Sequence, residues 1–162
     1  MQTEDDAVVA PLDPPVRLNG TTPRVLDPCS GSRMMWFDRA HPDVVFGDQR
    51  RETLTVTDHS RGNASGLRTI RIEPDTLLDF RALPYPDGAF KLVAFDPPHL
   101  VQAGPRSWLA AKYGKLSENW RDDLRAGFSE CFRVLASDGV LVFMKPNAGG
   151  NGLGPACRDK SR

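Results

Sequence analysis

The chain has 162 residues, and 21 Lys and Arg are balanced by 21 Asp and Glu, so no global positive field points to nucleic acid. Cys29, Cys131 and Cys157 stand too far apart for a zinc spacing or a disulfide framework, which predicts no metal and a reducing, cytoplasmic setting. Residues 1–10 are acidic without an apolar signal stretch, and no apolar run reaches ~18 residues, so neither a leader nor a membrane span is expected.

Residues 1–23 are rich in Pro, Asp and Thr and predict an irregular arm. The short apolar run Arg24-Val25-Leu26 stops at Asp27-Pro28, which predicts a strand entering a turn. Met34, Met35, Trp36 and Phe37 predict a short helix facing the core, ended near His41-Pro42. Val44-Val45-Phe46-Gly47 is the next strand, closed by Asp48. Two β-like runs within residues 53–72, separated by the loop chemistry of residues 59–66, predict an inserted hairpin. Thr76-Leu77-Leu78 is a short strand ending in Asp79-Phe80.

Lys91-Leu92-Val93-Ala94-Phe95 then runs straight into Asp96-Pro97-Pro98-His99, and residues 99–116 are loop-like, with Gly104-Pro105 and Gly114. A helix follows Ser117 or Asn119, with Trp120, Leu124, Phe128, Cys131, Phe132 and Leu135 spaced to share one face. Ser137-Asp138-Gly139 ends it, and Val140-Leu141-Val142-Phe143 is the last strand. Strands alternating with crossovers predict an α/β fold with a parallel sheet, in a single domain over residues 24–145. Residues 146–162, rich in Gly and Asn, predict a disordered tail.

Two groups of residues carry chemistry. Ligands of parallel α/β sheets bind at the carboxyl ends of the strands, and four strands here end in Asp27, Asp48, Asp79 and Asp96. Carboxylates collected on one edge repel one another unless a ligand or hydrogen-bond donors use them. The turn Asp27-Pro28-Cys29-Ser30-Gly31-Ser32 has small side chains, and Gly31 allows close approach to the backbone. It is not GxGxxG and lacks the lysine of a P-loop. Such acids and glycines also cap strand-to-helix turns in α/β proteins that bind nothing there, and both readings stay open on these residues alone.

The second group is Asp96-Pro97-Pro98-His99. Successive prolines remove two backbone donors and stiffen the chain, leaving the Asp96 carboxylate and nearby carbonyls as acceptors suited to a planar amino group. His99 would stack on a flat substrate or hydrogen-bond to it. The plainer reading is a Pro-Pro turn that ends an edge strand.

Residues 25–37, Asp48, Asp79-Phe80 with Leu83-Pro84-Tyr85, and Asp96-Pro97-Pro98-His99 together resemble class I S-adenosylmethionine-dependent methyltransferases, most closely small phage and prophage examples. The resemblance spans residues 24–145. It implies a Rossmann-like sheet with flanking helices and S-adenosylmethionine as methyl donor. It also implies that Asp27, Cys29, Gly31, Asp48, Asp79 and Phe80 hold the donor. Asp96 to His99 resembles the Asp-Pro-Pro-Tyr motif of enzymes that methylate amino groups of DNA, which implies transfer to an exocyclic amino nitrogen of a nucleobase. A small-molecule or protein substrate is the alternative. The chain departs from the pattern at His99, where those enzymes carry another aromatic residue. It also lacks the final helix and strand pair of the class, so a shortened, non-catalytic remnant is a further expectation.

Arg106, Lys112 and Lys115, interleaved with Trp108 and Tyr113, would either contact a nucleic acid or form a solvated lid with two anchoring rings. Cys29 reads as a small packing residue of the ligand turn, and His41 and His59 as surface residues.

Overall fold

The computed structural model describes residues 24–58, 61–98, 100 and 108–144, with backbone alone at 108 and 109. The expected arm over residues 1–23, the expected tail over residues 146–162, and His59, His99 and Arg106 lie outside the described residues. Among the described residues, seven strands and two helices follow in chain order. They are β1 (Val25–Asp27), β2 (Val44–Asp48), β3 (Glu52–Thr57), β4 (Leu67–Ile72), β5 (Thr76–Leu77), β6 (Phe90–Phe95), α1 (Trp108–Tyr113), α2 (Trp120–Val134) and β7 (Leu135–Phe143).

Five strands form a sheet in the order β5-β2-β1-β6-β7, and every pairing in it is parallel. The domain is therefore α/β. Val25 sits opposite both Val44 and Leu92, so β1 is central and joins the two halves. Parallel pairing sends all five carboxyl ends to one edge. A strand covered on both faces reads as a continuous apolar run, and β2 is buried at every position.

One face of the sheet, carrying Leu26, Val45, Val93 and Phe95, packs under α2 through Cys131, Val134, Phe128 and Leu124. Gly127 lets the helix approach: a Cβ there would stand 2.6 Å from the Phe80 ring and 2.8 Å from the Phe95 ring. On the other face the Trp36 ring meets Phe46 edge-on at 5.4 Å, and the Arg33 guanidinium lies 4.1 Å above Phe46. Arg133 donates to the carbonyls of Leu83 and Tyr85 and to Glu130, which itself accepts from the Leu83 amide, so α2 also holds the turn before β6.

The expected hairpin is present as β3 and β4, paired antiparallel from Glu52↔Ile72 to Thr57↔Leu67. It stands apart from the main sheet, and β3 rests against α1. The Asn63 side chain braces its loop by donating to the carbonyls of Asp58 and Leu67.

Several expectations are corrected. Residues 34–37 form turns, not a helix, because Arg33 takes a left-handed conformation (φ 56°) to reach the Glu73 carbonyl and Asp75. Met34 and Phe37 consequently face solvent, while Met35 is half-buried and Trp36 packs inward against Phe46. Within the loop-like stretch, α1 forms from six residues free of Gly and Pro and stops at Gly114 (φ 80°).

The stripe on α2 also excludes Phe132, which is exposed. At about 100° per residue Phe132 lies well off the direction shared by Trp120, Gly127, Cys131 and Val134. In addition, β7 begins at Leu135, ahead of the predicted turn. That turn survives as a bulge, since β6 advances from Phe90 to Leu92 while β7 advances from Leu135 to Val140. Among the described residues β7 has a neighbour, β6, on one side only.

Candidate functional site

Two adjoining clefts open at the carboxyl edge, above β1, β2 and β6. The first, about 60 Å³, is lined by Cys29, Asp48, Arg50, Phe80, Pro98 and Gly114 among others. The second, about 270 Å³, is lined by Ser30, Gly31, Met34, Asp96, Lys112 and Met144 among others. Cys29 and Tyr113 line both, so the two clefts meet there.

Asp27 ends β1 with no exposed surface. Its Oδ2 accepts the Trp36 indole N–H at 2.7 Å, and its Oδ1 accepts the Cys29 amide at 3.1 Å. Burial pushes its carboxyl up from the usual 3.8 to about 7; the two donors oppose this, and the charges of Asp96 and Asp48 add to it. Asp48 and Asp96 therefore both lie close enough to Asp27 to act on its carboxyl.

Asp48 ends β2 and is also buried. Its Oδ2 accepts the Gly31 amide at 2.9 Å, and its Oδ1 accepts both the Arg50 amide at 2.9 Å and Arg50 Nε at 3.2 Å. Gly31 reaches Asp48 in a left-handed conformation (φ 51°), and a Cβ on it would stand 3.3 Å from the Lys112 carbonyl. Glycine is required here by backbone shape and by the approach of α1.

Asp96 follows β6 and faces the second cleft, while Pro98 lines the first and Pro97 is buried between. Phe80 lines the first cleft, backed by α2 at Gly127. Asp79 stands aside from the other acids: Arg81 pairs with it at 2.6 Å and reaches on to Asp123 of α2 at 2.9 Å. Partial burial opposes ionisation of Asp79, but the hydrogen bonds from Arg81 outweigh it and hold the carboxyl below its usual range. Cys29 is half-buried, and loss of water, with the charges of Asp27 and Asp48, pushes its thiol well above the ordinary value. That suits a packing residue and not a nucleophile.

Several site residues escaped sequence reasoning. The Ser30 hydroxyl is buried beside the second cleft with no hydrogen-bond partner among the described residues. A buried hydroxyl without a partner is costly, and at a cleft wall it marks a place for a ligand atom. Trp36 serves as a donor to Asp27 besides its packing role, and Arg50 crosses the first cleft. Lys112, read as a basic surface group, is buried with its Nζ 4.5 Å from the Tyr113 ring centre, whereas Lys115 is exposed.

No family model, curated protein or solved structure matches the chain, so its function has to be read from the site itself. Among the described residues, no group of three or more His, Cys, Asp or Glu side chains is placed to hold a metal ion. No described helix is long and apolar enough to cross a membrane.

Proposed function

We propose that the chain is a Rossmann-like, S-adenosylmethionine-dependent methyltransferase acting on an amino nitrogen, with a nucleobase of a nucleic acid as the favoured substrate. One observation carries the reading. The Asp27 turn and Asp96-Pro97-Pro98 lie at the ends of β1 and β6, where chain connections leave in opposite directions across the sheet. Crevices at such switch points are where open α/β sheets bind nucleotide-like ligands, and the order β5-β2-β1-β6-β7 has the succession expected of that class.

The residues suit the donor in charge and shape. The carboxylates of Asp48 and Asp96 line the clefts and favour a cation, and Ser30 and Gly31 border the roomier second cleft. Ser30 would donate to the donor's carboxylate, and Asp48 would accept from its ribose. Phe80 would flank its adenine in the first cleft. The bound donor supplies a methyl group on a positively charged sulfur.

The chain's task is then to hold an amino group in line with that methyl. Asp96 and the Pro97 carbonyl accept the amino hydrogens and aim the nitrogen lone pair, and the proton released on transfer leaves to Asp96 or to water. Positioning of this kind supplies most of the catalysis, because no strong base is needed. His99, on the same motif, would line the target pocket.

Calorimetry with S-adenosylmethionine and its demethylated product tests the donor. Labelled methyl transfer to DNA, RNA, protein and small-molecule pools identifies the acceptor. Asp96→Ala should keep donor affinity and lower transfer at least about a hundredfold. Equal loss of both would make Asp96 structural. A specific observation favours a second reading, a chain that does not load the donor. The first cleft holds about 60 Å³, and Asp48 is already engaged by Gly31 and Arg50. Absence of binding by a folded sample would select it.

A further inference from the structure

Arg50 follows β2, and its side chain crosses the first cleft to α1. Nε lies 3.2 Å from Asp48 Oδ1, while one terminal nitrogen donates to the Ala111 carbonyl at 3.1 Å and lies 3.3 Å from Glu52 Oε1. The end of β2, the root of the β3–β4 hairpin and α1 therefore meet on one guanidinium. Gly114 makes room for it: a Cβ there would stand 3.5 Å from Arg50 Cζ and 3.2 Å from Pro98 Cγ. The Asp48 Oδ1 atom already takes two donors, the amide and Nε of Arg50, and so has no free lone pair.

We infer that Arg50 is a positioning residue that latches α1 over the first cleft. A ligand carrying a ribose diol opens the latch by taking Asp48 from it. One hydroxyl of the diol can use Oδ2, which accepts the Gly31 amide and has a second lone pair. The other must go to Oδ1 and needs the lone pair that Nε occupies, so the whole diol and Nε cannot hold Asp48 at once. The guanidinium is planar and its donors are fixed in a fork, so losing Asp48 also turns the group away from Ala111. Ligand binding is thereby coupled to release of α1, which borders both clefts through Lys112 and Tyr113. The identity of the diol ligand rests on the methyltransferase reading; the contact between Arg50 and α1 does not.

The experiment uses the full chain as wild type, Arg50→Ala and Arg50→Lys. Amide hydrogen exchange over residues 110–114 is measured without ligand, and affinity for S-adenosylmethionine is measured by calorimetry. Arg50→Ala should speed exchange in that segment and raise donor affinity about fivefold, the worth of a partly exposed ion pair that no longer competes. Arg50→Lys should keep the charge on Asp48, hence near wild-type affinity, yet lose the fork and exchange as the Ala variant does. Unchanged exchange in both variants, or weaker donor binding by Arg50→Ala, overturns the latch. Faster exchange with no donor binding by any of the three chains upholds the closure of α1. It removes the methyl donor as the ligand that opens it.

Discussion

At the scale of single residues, the site is governed by what surrounds each carboxylate. Asp27 is the extreme case: it is buried, close to two other acids, and served by two N–H donors. In the folded chain it keeps its proton up to about pH 7, whereas the unfolded chain releases it near 3.8. Across that window the folded state holds the extra proton, so this group makes stability decline as pH rises. Asp27→Asn cannot ionise. Its unfolding free energy relative to wild type should therefore grow as pH rises from about 4 to about 7, in parallel denaturant titrations. A constant difference would mean that Asp27 is charged throughout.

The identity of Asp27 as a strand-ending acid was legible, because an apolar run stopped by Asp-Pro is a local signal. Its pairing with Trp36 was not: Trp36 sits among apolar neighbours and resembled core, and only the left-handed turn at Arg33 brings the indole round. Arg50 escaped for a related reason. Its partner Ala111 is 61 positions away, and a carbonyl carries no side-chain signature.

At the scale of elements, α2 sets the depth of the first cleft from behind. Gly127 presses against Phe80 and Phe95, and Phe80 is a wall of that cleft. A methyl group at position 127 would gain about 1 kcal/mol of helix propensity but overpack the rings by about 1–3 kcal/mol. Gly127→Ala is expected to destabilise the chain by about 1 kcal/mol and to narrow the cleft. Thermal unfolding measures the first effect, and donor affinity measured on the same variant gives the second. A gain in stability would show that the rings have space to retreat.

The helix was legible as an element because its apolar spacing runs for four turns, and its dipole is served by Asp122 and Asp123 at the start and Arg133 at the end. Glycine at its packing seam carried no such signal, since glycine in a helix reads as a defect until the opposing rings are known. The helix α1 was missed because its six residues, ended by Gly114, are too few for a periodic pattern.

At the scale of the whole molecule, the parallel sheet and the hairpin are two units of different strength. The central strands β1, β2 and β6 are largely buried and bonded on both sides, whereas among the described residues β3 and β4 pair only with each other. A hairpin alone is marginal in water, and this one has β3 resting on α1 for support. Its amides should exchange through local opening that is insensitive to low denaturant, while those of Leu26, Val45 and Val93 should exchange only with global unfolding. Identical denaturant dependence in both groups would make the chain a single cooperative unit.

The parallel architecture was legible because strands and crossovers alternate, and so was the edge to which the acids go. Which acids meet was not, since that depends on register and on the partners each finds. Asp48 and Asp96 line the clefts, Asp27 is buried beneath them, and Arg81 draws Asp79 toward α2. The bulge in β7 has a practical consequence. Residues 136–139 lie between two ladder contacts without contributing rungs, and Ser137 and Asp138 are exposed there. An inserted residue or a fluorescent label at Ser137 would enlarge a bulge already outside the paired rows. Val140 to Phe143 would stay opposite Leu92 to Phe95, and a reporter would ride on the protein far from Asp96 in register.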